Sequence, residues 1–149
     1  MKKFNFKLGT LLRYRELLED KAETAYREAL ARRNHQLAII EENRRRRNEA
    51  ALALKKTPAG HPFLPLITLT DHYLNQLSQL IEEQALFLLE LEHNVQEKLS
   101  EYQLRHREAE AIRRLREKQL QKYLLEMDKE EQKMQDDLFI ARWPGVMES

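Results

Sequence analysis

The side chains able to do acid–base or metal chemistry in this chain are five histidines and 25 carboxylates. Their spacing assigns them no reaction. No two of His35, His61, His72, His93 and His106 are three or four residues apart, as a pair of helical metal ligands must be, and none has a glutamate placed as in a metalloprotease helix. There is no cysteine, so no thiolate metal site and no disulfide framework can form. Three glycines are too few for a phosphate-cradling loop or a nucleophile elbow. The carboxylates would need a concave, dry pocket to tune them for proton transfer, and a thin helical rod has none. The expectation is no enzyme, with no catalytic, cofactor-binding or metal-ligating residues and the histidines on the surface.

Charge is the other candidate chemistry. Arg44, Arg45, Arg46 and Arg47 form a run flanked by Glu41, Glu42 and Glu49 at helical spacing. That pattern fits a solvated face, a docking patch for an acidic partner, or a phosphate site, the last lacking an interleaved aromatic platform. A second basic stretch, Arg105, Arg107, Arg113, Arg114, Arg116, Lys118 and Lys122, precedes the acidic Glu126, Asp128, Glu130, Glu131, Asp136 and Asp137. Such banding would orient a partner, or is plain helix-surface charge. Across the chain 26 basic residues meet 25 acidic ones, a balance unlike a general nucleic-acid binder or a disordered chain.

The elements that carry these residues follow from the breakers. Apart from Gly9, Pro144 and Gly145, every Gly and Pro lies within residues 57–65, where Pro58, Pro62 and Pro65 must end any helix. One helix is expected over residues 10–56, with Thr10 as its cap, and a second over 68–143, where Thr68 and Asp71 resemble a capping box. A short tail, 144–149, follows. Spans of roughly 70 Å and 110 Å are too long to hold as lone helices, so each needs a partner face. Helix 2 offers an apolar seam through Tyr73, Leu77, Leu80, Gln84, Phe87, Leu91, Val95, Leu99, Tyr102, His106, Ala109, Ile112, Arg116, Leu120, Tyr123, Met127, Glu131, Met134 and Leu138, stepping mostly by four and three with occasional stutters. Helix 1 offers a thinner one through Leu11, Leu18, Ala22, Ala25, Ala29, Gln36, Ile40, Ala50 and Leu54.

The fold class expected is therefore all-α, a single-domain antiparallel two-helix coiled-coil hairpin reversing about His61, its second helix longer and projecting beyond the first. A dimeric four-helix assembly is the alternative. The projecting part, from Leu115 to Trp143, would keep an apolar stripe with no partner in the chain. The opening residues lack the apolar run of a secretory signal, and no segment reaches a membrane span, so a soluble, cytoplasmic protein is expected.

Two terminal motifs carry a resemblance. Phe4-Asn5-Phe6-Lys7-Leu8, with Leu11-Leu12-Arg13-Tyr14-Arg15 after it, resembles the aromatic-x-aromatic-basic-Leu start of the flagellar export FliJ family. Glu131-Gln132-Lys133-Met134-Gln135-Asp136-Asp137, followed by Ala141-Arg142, resembles that family's Gln-Lys-x-x-Asp-Glu segment. The resemblance implies a non-catalytic central stalk of the flagellar type III export apparatus, similar in fold to the stalks of rotary ATPases. Its partners would be the export ATPase FliI, the membrane export gate protein FlhA and export chaperones, at the cytoplasmic face of the inner membrane, with no nucleic acid, no cofactor and no membrane insertion.

By the same resemblance the ATPase contact falls on Leu11, Leu12, Tyr14, Gln132, Lys133, Asp136, Asp137, Leu138 and Arg142. The gate contact falls on Gln36, Ile40, Asn43 and Arg47 of helix 1 and Tyr73, Leu77, Leu80 and Gln84 of helix 2. Aromatic residues are common at the helix-1 positions in that family and are missing in this chain. The rival readings are a generic coiled-coil scaffold and a prefoldin-like holdase using the Met- and Leu-bearing overhang.

Overall fold

The computed structural model of the protein describes residues 2–56 and 64–143. It is all-helical: α1 spans Gly9–Lys55 and the longer α2 spans Leu64–Arg142, and the two pack antiparallel as a coiled-coil hairpin. The expected reversal about His61, with Pro58, Gly60 and Pro62, and the tail 144–149 lie outside the described residues.

Both helices begin earlier than the capping residues suggested. The Gly9 amide donates to the Phe6 carbonyl at 3.1 Å and the Leu12 amide to Leu8 at 2.9 Å, so the first turn forms ahead of Thr10. In α2 the proline of Pro65 falls in the first turn, where its missing N–H leaves no bond unmade. The helix thus absorbs Leu64–Ile67, and Thr68 is not a cap: its hydroxyl donates back to the Leu64 carbonyl at 3.0 Å from inside the helix.

Packing divides the chain into two compact units, one of residues 1–19 with 104–149 and one of residues 20–103. In the second unit the core is Ile40, only 2% exposed, against Leu77 and Ile81, with Leu88 beside them. Further along, Tyr26 and Tyr102 stack across the helix pair with rings nearly parallel and centroids 6.2 Å apart. In the first unit Leu12 and the fully buried Ala109 are the apolar core, and Arg15 reaches Glu108 at 2.6 Å.

Burial along α1 traces an unbroken three–four series: Leu12, Arg15, Glu19, Ala22, Tyr26, Ala29, Arg33, Gln36, Ile40, Asn43, Arg47, Ala50, Leu54. About half of that seam is polar or charged, so an apolar search finds only part of it and takes Leu11 and Leu18 for Leu12 and Glu19. In α2 the inward residues are Leu74, Leu77, Ile81, Gln84, Leu88, Leu91, Val95, Leu99, Tyr102, Arg105, Ala109 and Ile112. Tyr73, Leu80 and Phe87, expected in the seam, stand 44%, 42% and 48% exposed, one residue away from Leu74, Ile81 and Leu88 that replace them. Apolar doublets make the two registers equal on paper, and Ile81 is the residue that meets Ile40.

Candidate functional site

The first unit is organised by a charge cluster in its seam. Glu19 is buried, and its carboxylate accepts from the Arg113 guanidinium and lies 2.7 Å from His106 Nδ1. Arg113 also reaches Glu110 at 3.0 Å and Glu16 at 3.7 Å. Burial pushes the Glu19 carboxyl up, but hydrogen bonds and charge from Arg113 and His106 outweigh it and hold the group below its ordinary range. Arg113 is raised in turn, mainly by its bond to Glu19. Two members of the second basic stretch, Arg105 and Arg113, therefore sit half-buried in ion pairs, and the exposed Arg114 leans on Glu110. The Arg15 Nε beside this cluster is buried without an acceptor, although its Nη1 bonds to Glu108.

Beyond that cluster the helix pair ends sooner on one side than on the other. Leu120, Tyr123 and Met127 are half-buried, and at Tyr123 and Met127 the non-helical segment ahead of α1 lies alongside, with Lys2, Lys3, Phe4 and Asn5 lining one groove with them. The Phe4 ring meets the Tyr123 ring at 5.5 Å, and the Tyr123 hydroxyl donates to the Lys2 carbonyl. The expectation that α2 lacks an intramolecular partner from Leu115 onward is thus corrected. The groove ends at Glu130; among the described residues nothing covers α2 beyond it, and every described residue from Asp128 to Trp143 is exposed.

Of the expected ATPase-contact residues, Leu11, Tyr14, Gln132, Lys133, Asp136, Asp137, Leu138 and Arg142 are exposed, whereas Leu12 is buried between the helices. The structure does not bring the two halves together. Leu11 and Tyr14 lie between the Arg15–Glu108 and Phe4–Tyr123 levels, and Gln132 begins nine residues past Tyr123, about 14 Å further along α2.

The second unit contains the expected gate residues, and there burial divides them. Ile40 and Leu77 are core. Gln36 and Asn43 are buried and both bond to Gln84, the first to its backbone carbonyl at 3.3 Å and the second to its side-chain oxygen at 2.9 Å. These residues are occupied holding α1 to α2. Arg47 is half-buried; Tyr73 and Leu80 alone present large exposed surface. Tyr73 also lines an apolar groove with Ala50, Leu54, Leu66 and Leu69.

Two members of the arginine run, Arg45 and Arg46, are paired at the surface. Arg45 bonds to Glu42 at 2.6 Å and to Glu49 at 2.9 Å, and Arg46 to Glu42 at 3.3 Å. The bond from Arg45 is the main reason the Glu42 carboxyl is lowered. Among the described residues no group of three or more His, Asp or Glu is placed to hold a metal, and no helix is long and apolar enough to cross a membrane.

Sequence reasoning missed the Glu19–Arg113–His106 cluster and the cover formed by residues 2–6. The first carried a usable signal, a glutamate seven residues after Leu12 and three before Ala22, at the spacing of the α1 seam. The second did not, because residues 2–6 are not helical and follow no period. Compared with known families, residues 4–145 match the model of the family described as flagellar FliJ protein. None of the curated proteins and none of the solved structures compared with the chain matches it.

Proposed function

We propose a function for this chain from one premise: it belongs to the flagellar FliJ family, and so is a component of the flagellar export apparatus. Within that apparatus the helix pair acts as a non-catalytic stalk. The exposed end of α2, residues 128–143, docks in the export ATPase FliI, and an exposed flank of the second unit engages the gate protein FlhA and export chaperones at the cytoplasmic face of the membrane. The observation that carries the reading is the stretch after Met127, on which Met134, Leu138, Phe139 and Trp143 are all largely exposed. A contiguous exposed apolar face of that kind marks a surface that another molecule covers.

An asymmetric helix pair inside a ring of like subunits cannot touch them all alike, so it favours nucleotide binding or release at some sites over others through differential contact energy. For the gate contact, the available surface is Tyr73 and Leu80 rather than the buried Ile40 and Leu77. The test is an ATPase assay on purified FliI with and without this protein, together with sizing of the ring. Faster turnover and a larger assembled fraction are expected. Unchanged rate and unchanged assembly would reject the stalk role.

A further inference from the structure

The segment ahead of α1 does something neither helix requires. Helix α1 starts at Gly9 and its seam at Leu12, so α1 itself has no residue to set against the α2 seam positions Tyr123 and Met127. Residues 2–6 supply the cover instead. Phe4 packs its ring on Tyr123, the Tyr123 hydroxyl holds the Lys2 carbonyl, and Lys2 and Lys3 share a groove with Glu126 and Glu130. Among the described residues this is a non-helical segment held at an exposed site by a ring pair and an exposed hydrogen bond, with its lysines in the same groove as two glutamates. Contacts of that kind are individually weak and reversible.

Tyr123 and Met127 are also the inner end of the stripe that continues, at heptad spacing, through Met134 and Leu138. A helix-binding partner that takes the exposed stripe gains two further apolar positions if it displaces residues 2–6.

We propose that residues 2–6 are an intramolecular strap that competes with the partner of the α2 end for Tyr123 and Met127. The proposal rests on the reading that FliI takes that end, and it adds the regulation of the contact. With the strap closed, the partner meets a shortened stripe. With it open, the stripe runs from Leu138 back to Tyr123, and opening every molecule raises affinity by up to the reciprocal of the fraction that had been open. The aromatic spacing of Phe4 and Phe6 acquires a role by this route, since Phe4 is the ring that closes the strap on Tyr123.

The chain has no cysteine, so a disulfide can be introduced without a competing thiol. Asn5 and Glu126 line the same groove, and the double variant Asn5→Cys/Glu126→Cys would lock the strap when oxidised. Binding to purified FliI should then be at least tenfold weaker for the oxidised than for the reduced protein, and Phe4→Ala should bind about three- to tenfold tighter than the natural sequence. Equal binding by oxidised and reduced forms, or no gain in Phe4→Ala, overturns the strap.

The free protein gives a second readout that needs no ATPase. Phe4→Ala should speed peroxide oxidation of Met127 several-fold while leaving the already exposed Met134 unchanged as an internal control. If the natural protein fails to bind FliI, the stalk reading falls, and the strap stands or falls on Met127. An unchanged Met127 rate removes it.

Discussion

Asn43 of α1 donates its side-chain amide to the Gln84 side-chain oxygen of α2 at 2.9 Å, one polar pair set directly beside the Ile40–Leu77–Ile81 core. Removing Asn43 leaves the half-buried Gln84 side chain without its donor, whereas removing both leaves an apolar seam. Asn43→Leu alone should destabilise the helix pair by about 1–3 kcal/mol in urea unfolding. Asn43→Leu with Gln84→Leu should recover that loss and reach or exceed the starting stability by about 1 kcal/mol. A double variant no more stable than the single would show that the pair is worth more than the apolar packing replacing it.

Glu19 should make the helix pair acid-sensitive. Its carboxyl is held below the ordinary range in the folded protein, so its contribution is fully present above the unfolded pKa. That contribution is lost as pH falls through the depressed folded value. Unfolding midpoints measured from neutral pH downward should drop through the acidic range in the natural protein and drop less in Glu19→Gln. Parallel curves would remove Glu19 from the account.

At neutral pH, Glu19→Ala leaves Arg113 and His106 without their shared acceptor. Arg113 is about a third exposed and keeps Glu110, so the cost is moderated to about 1–3 kcal/mol. A thermal or urea midpoint indistinguishable from the natural protein would mean that water fully replaces the lost carboxylate.

Ile40 and Tyr73 separate packing from docking. Ile40→Ala should cost about 2–4 kcal/mol, because a side chain 2% exposed leaves a cavity in the core. Tyr73→Ala, at an exposed position, should change stability by no more than about 0.5 kcal/mol. On the proposed gate contact, however, Tyr73→Ala should weaken binding to the cytoplasmic part of FlhA. Equal binding by Tyr73→Ala and the natural protein would move that contact elsewhere on the chain.

A chain stopped after Met127 should keep the helix pair, since every described residue beyond it is exposed. Its unfolding midpoint should stay close to that of the full chain while stimulation of FliI disappears. Retained stimulation would place the ATPase contact on Leu11 and Tyr14 alone.

The hairpin was legible because its signals are strong and local. The Gly and Pro residues between α1 and α2 leave the sequence one place to reverse, and nothing between Gly9 and Lys55 or between Leu66 and Arg142 opposes a helix. The facing residues were less legible. At Tyr73–Leu74, Leu80–Ile81 and Phe87–Leu88 two apolar neighbours compete for one inward position, and only the partner helix chooses between them. In α1 the seam runs through Arg15, Glu19, Arg33, Gln36, Asn43 and Arg47, which hydropathy assigns to solvent. The site suffered from the same ambiguity, since residues aligned as contact surface, such as Ile40, Leu77 and Asn43, turned out to be those that hold the two helices together.

The Asn43–Gln84 layer also decides how the second unit can respond to load. Sliding α2 by one heptad in either direction would put Leu77 or Leu91 opposite Asn43, burying its amide against hydrocarbon. Intermediate offsets turn the wrong face inward. The pair is keyed like a shaft in its slot: a push or a twist is passed along it, and shear between its two strands is the one deformation it refuses.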